Sequence, residues 1–206
     1  MRVRELLNPA APSDRSAQER TFAILAPSLD QLQSVFVQAE RSATSSGNLR
    51  DRHTKVIKIA ELLARELYYA SGAFDQRDPS SPSPPRGDPA RFCTLALPLL
   101  QGLSAIHHPA ITQHIVQIAD HLAPVQPKRL LMLAAAAVTS DTMYARELMG
   151  LDAALHLIMH YAADYRGLML DDPECTAAIR GLLESFVRLG WDKAIGLAED
   201  LDELFT

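Results

Sequence analysis

Residues Leu130 to Val138 read Leu-Leu-Met-Leu-Ala-Ala-Ala-Ala-Val, an apolar run that leaves no polar angle on a helical wheel. A helix that is hydrophobic all round belongs inside protein, so the run predicts a central helix with neighbours packed onto it from several sides. Ala134 to Ala137 combine the highest helix propensity with almost no bulk, which lets other helices come close. A membrane span needs roughly 20 apolar residues, and this run is far shorter. It is read as the core of a soluble fold, with no membrane among its partners.

Helical spacing accounts for most of the remaining chain, and no stretch alternates as a strand does. A helix is expected from Ser13 or Asp14 to Leu25, and another from the capping pair Ser28 and Gln31 through Leu29, Leu32, Val35, Phe36 and Ala39. After the polar loop Ser42 to Asn48, a helix over about 49–71 buries Val56, Ile59, Ala60, Leu63, Leu67 and Ala70, and Gly72 ends it. Residues 75–88, with Pro79, Pro82, Pro84 and Pro85 among serines and charges, cannot build a packed helix. They are read as a linker or surface loop between an N-terminal helical segment, 1–74, and a helical-hairpin core, 89–206.

In that core, proline at the first helical position opens one helix after another. Asp88-Pro89 precedes the stripe Phe92, Leu95, Ala96, Leu99, Leu100, Leu103 and Ile106, with Pro98 expected to kink it. His108-Pro109 precedes Ile111, Ile115, Ile118, Ala119 and Leu122. Ser140 or Asp141 is expected to start a long helix through Tyr165, buried through Leu148, Leu151, Leu155, Ile158 and Ala162. Asp172-Pro173 opens the stripe Cys175, Ala178, Ile179, Leu182, Leu183, Phe186 and Val187. Gly190 breaks it, and Trp191, Ala194, Ile195, Ala198, Leu201 and Phe205 face back in an antiparallel hairpin.

The fold class expected is all-α, with antiparallel helical hairpins forming an α-solenoid-like array or a compact multi-helix bundle. Hairpins recur about every 40 residues from Asp88 onward. Through Asp88-Pro89, His108-Pro109 and Asp172-Pro173, the C-terminal two thirds of the chain resembles HEAT-like helical repeats. It departs from them in lacking a recurrent Asp and Arg at matching positions.

The 206 residues carry a formal charge of -5, which disfavours a general nucleic-acid partner. Residues 1–91 are near neutral, and the acidity lies in 92–206. Cys93 and Cys175 lack metal-site or disulfide-framework spacing and are read as buried thiols. Met1 to Pro12 has no secretory apolar run, so an intracellular protein, cytoplasmic or nuclear, is expected.

Four constellations invite chemistry. Asp152, His156, His160 and Asp164 follow each other at intervals of four, the spacing that stacks side chains on one helix face and suits a divalent metal such as zinc. The same spacing equally makes a polar stripe of Asp-His hydrogen bonds. His107, His108, His114 and His121 gather around the 109–122 helix as a second titratable group. Arg50, Arg52, His53, Lys55 and Lys58 lie at a helix start, where free amides and the macrodipole favour a phosphate or acidic partner docking through Arg50, Arg52, Lys55 and Lys58. Glu199, Asp200, Asp202 and Glu203 lie at a helix end, where the dipole opposes them; they are either solubilising charge or a docking tail for a basic partner. Arg86-Gly87-Asp88 is read as coincidence, with Asp88 employed as a cap. No phosphate loop or nucleophile elbow is present, and no cofactor is implied. The sequence therefore predicts a non-enzymatic scaffold or helical regulatory subunit with a protein partner, itself a homo-oligomer or part of a larger complex. The alternative is a metal-binding bundle or metal-dependent enzyme.

Overall fold

The computed structural model describes the backbone of Arg20, Phe22, Ala23, Ser34, 47–74 and 88–204, and, of these, the side chains at the four single positions and over 54–74 and 88–201. The helices expected before residue 40 and the proline-rich stretch up to residue 87 lie outside these residues, single positions apart. Among the described residues all regular structure is helical, with no strand.

The helices are α1 (Gly47–Ser71), α2 (Pro89–Ser104), α3 (Pro109–Leu122), α4 (Pro127–Ser140), a 3-10 turn (Tyr144–Arg146), α5 (Leu148–Asp164), α6 (Arg166–Asp171), α7 (Pro173–Val187) and α8 (Asp192–Leu204). The chain divides into two compact units, 1–106 and 107–206. The division therefore falls after α2, later than the proline-rich stretch that sequence reading placed between segments.

In the first unit α1 packs on α2. Val56, Ala60, Ala64 and Leu67 are buried at helical spacing, whereas Ile59, expected inside, is half exposed. The buried stripe is thus rotated toward small residues, which allow close approach. Gly72 ends α1 with φ 88°, a left-handed conformation glycine adopts without a Cβ clash. Asp88 caps α2 by accepting from the amides of Ala90 (3.0 Å) and Arg91 (3.1 Å). Phe92 and Cys93 are buried in its first turn, and Phe22 meets the Phe92 ring edge-on at 6.3 Å.

In the second unit α4 packs against both α3 and α7. Leu130, Leu131, Leu133, Ala134, Ala135, Ala137 and Val138 are buried, as the apolar run required. The enclosure is not complete: Met132 and Ala136 reach solvent on one edge. Helix α3 also packs on α5, and α7 also packs on α5, α6 and α8. Tyr161 of α5 donates its hydroxyl to the Pro127 carbonyl at 2.7 Å, satisfying a buried phenol whose ionisation burial opposes.

The chain after α4 departs from expectation. Asp141 does not open a long helix; it is buried and accepts from the Thr112 hydroxyl (2.9 Å) and from the amides of Met143 (3.2 Å) and Tyr144 (3.0 Å). These bonds fold 141–147 into a 3-10 turn, and α5 starts only at Leu148. Leu148 is consequently in the first helical turn and exposed, while Leu151, Ala154, Leu155, Leu157, Ile158 and Tyr161 are buried. Asp172 caps α7 as predicted, accepting from the amides of Glu174 and Cys175. Gly190 turns the chain with φ 75°, and α8 packs back on α7. Cys93 and Cys175 are buried thiols outside any disulfide.

Candidate functional site

Helix α5 carries the polar stripe singled out by spacing, and the structure divides its four members among different partners. Asp152, at the exposed side, takes Lys193 of α8 at 3.0 Å. His156 and His160 both turn Nδ1 toward one carboxylate, Asp120 of α3: His156 to Oδ2 at 2.9 Å and His160 to Oδ1 at 2.7 Å. An ionised carboxylate only accepts hydrogen bonds, so each imidazole carries its proton on Nδ1. The ring of His156 is largely in solvent, leaving Nε2 open to water. Nε2 of His160 lies 3.3 Å from Asp164 Oδ2, a pair that bonds when the imidazole is doubly protonated.

The result is a carboxylate clamp between α3 and α5, with Asp120 as the residue that sequence spacing missed. Asp120 lies 36 and 40 residues before its partners, and a helix-face argument sees only side chains on one helix. Among the described residues, no three His, Cys, Asp or Glu side chains are placed to hold a metal ion.

The other constellations are scattered. His107 is exposed with φ 45°, while His108, His114 and His121 are half-buried along α3. The side chains of Arg50 and Arg52 lie outside the described residues. Lys55 and Lys58 are exposed, and with α1 beginning at Gly47 they stand about two and three turns from its first residue.

A second feature lies between α7 and α8. Their hairpin leaves a groove of about 310 Å³, floored by Ile179, Leu183, Val187, Ala198 and Leu201 and bordered by Arg180 and Glu184. The floor exists because α7 presents Ile179, Leu183 and Val187 at successive turns, and α8 answers with Ala198, too small to fill the space. On the α7 side charge is balanced: Glu184 holds Arg188 at 2.6 Å, and Arg180 has a partner of its own. On the α8 side the one lysine, Lys193, is committed to Asp152, and Glu199 and Asp200 face solvent.

No protein-family model, curated protein or solved structure matches the chain. No described helix is long and apolar enough to cross a membrane.

Proposed function

We propose that this chain is a non-enzymatic interaction scaffold or helical adaptor subunit, and that a protein partner docks in the groove between α7 and α8. One observation carries the reading: the groove beside the last helical hairpin, where Val187 and Ala198 stay half-buried at its mouth above the covered Ile179, Leu183 and Leu201. Its volume sits at the lower limit of ligand pockets, which span about 300–1,000 Å³. It suits one or two anchoring side chains, the way helix-lined grooves receive peptide partners.

The test is a photo-crosslinking side chain at Val187 in the full-length protein, expressed in its host. A discrete crosslinked protein that disappears when Ala198→Phe fills the groove is the expected result. A turnover that survives purification and is lost in His156→Ala or His160→Ala would overturn the reading.

The metal-binding alternative keeps one point in its favour. Histidines that ligate metals commonly donate their second ring N–H to a carboxylate, as His156 and His160 do to Asp120. Elemental analysis of protein purified without chelator separates the two: stoichiometric zinc lost in His156→Ala favours the metal, and its absence removes that alternative.

A further inference from the structure

Independently of the docking groove, we infer that His160 Nε2 and Asp164 Oδ2 form a two-ligand site for a divalent cation of the zinc class at the C-terminal end of α5. Neutral His160 gives its Nδ1 proton to Asp120 at 2.7 Å, so Nε2 turns a bare lone pair toward Asp164 at 3.3 Å. An ionised carboxylate is an acceptor as well. Two acceptors thus face each other, and the contact becomes attractive only with a proton or a cation between them.

Three features favour the cation. Zinc bonds to nitrogen and oxygen are about 2.0–2.2 Å long, which at a tetrahedral angle sets the two ligands about 3.3–3.5 Å apart; the pair already stands at that distance. The ring is also held as a ligand's ring is held, its second N–H on a carboxylate and its plane beside Tyr161 and Tyr165, with centroids at 6.0 and 5.6 Å. Finally, the last turn of α5 holds no basic residue, although the dipole there opposes Asp164 and attracts a cation.

The rest of the stripe is engaged elsewhere. Asp152 holds Lys193, and His156 meets the other oxygen of Asp120. With no third His, Cys, Asp or Glu in place among the described residues, water completes the shell and the ion exchanges with solvent. Added metal, rather than metal retained through purification, therefore reads the site. An imidazole ligand selects zinc over magnesium, which prefers oxygen.

The experiment adds Zn2+, and separately Mg2+, to the untagged full chain above the ordinary histidine pKa of about 6.5. Histidine 1H–15N spectra locate the ion, and competition with a chromophoric chelator gives its affinity. A saturable shift at His160 Nε2 is expected with Zn2+ and none with Mg2+, reversed as acid protonates the ring. His160→Gln is expected to abolish binding, Asp164→Asn to weaken it by about tenfold or more, and His156→Gln to change it by no more than about twofold.

Zinc bound equally by His160→Gln overturns the inference, and so does zinc lost in His156→Gln, which returns the site to the whole stripe. A parent His160 ring that is doubly protonated at this pH and indifferent to zinc overturns it without any variant, because a proton then holds the contact. None of these outcomes touches the Val187 crosslink, so groove docking stands or falls separately.

Discussion

Gly150 lies so close to the Tyr144 carbonyl that a Cβ on it would stand 2.7 Å from that oxygen and 3.1 Å from the tyrosine ring. The first turn of α5 and the 3-10 turn before it are therefore packed at backbone distance, and only glycine fits between them.

Gly150→Ala is expected to destabilise the protein. Overpacking costs about 1–3 kcal/mol, more than the roughly 1 kcal/mol of helix propensity that alanine returns. Gly196, also helical, has open space where its Cβ would stand, so Gly196→Ala should raise stability by about 0.5–1 kcal/mol. Urea unfolding of the two variants should move in opposite directions.

Removing the Asp141 carboxylate strands the Thr112 hydroxyl, which is buried with it, and takes an acceptor from the amides of Met143 and Tyr144, of which Tyr144 keeps the Asp141 carbonyl at 3.2 Å. Unsatisfied buried groups cost about 1–3 kcal/mol each. Asp141→Ala should lower stability by about 3 kcal/mol and Thr112→Val by less, while Thr112→Ser keeps the bond. Chemical denaturation midpoints order the three.

The Asp120 clamp should divide unequally between its two imidazoles. His156 is largely in solvent, whereas His160 and Asp120 are mostly covered. A double-mutant cycle should give about 1 kcal/mol of coupling for Asp120 with His160. For Asp120 with His156 it should give no more than a few tenths, as for other exposed pairs. Equal couplings would contradict the geometry.

Lys128 holds Asp172 at 2.6 Å and Glu174 at 2.7 Å. The Lys128 hydrogen bond, joined by the amides of Glu174 and Cys175, keeps the Asp172 carboxyl below the usual carboxylate range. A depressed folded value stabilises the protein above the unfolded carboxyl pKa, about 4. That stability is lost as pH falls through the folded value. Lys128→Gln should therefore melt earlier than the parent at pH 7, and the difference should close in acid below about pH 4.

What the sequence disclosed follows from how far each signal reaches. The starts of α2 and α7 were legible because Asp88 and Asp172 bond amides two and three residues away, with proline next to each. The buried face of α7 was legible for the same reason, since its periodicity is local. Asp141 was misjudged as a helix start because its deciding partner, Thr112, lies 29 residues earlier. That displaced start in turn put Leu148 outside the core. The histidine stripe was seen and its carboxylate was not, because Asp120 reaches α5 only through the packing of α3. The groove was the least legible feature: it depends on the volume missing at Ala198 once two helices are paired.

Trp191, the chain's only tryptophan, donates its indole N–H to the Ala145 carbonyl at 3.0 Å, joining the start of α8 to the 3-10 turn across 46 residues. The chain thus contains its own optical probe at the junction of these two segments. A red shift in its emission that precedes loss of far-ultraviolet ellipticity would report that this corner loosens before the helices melt.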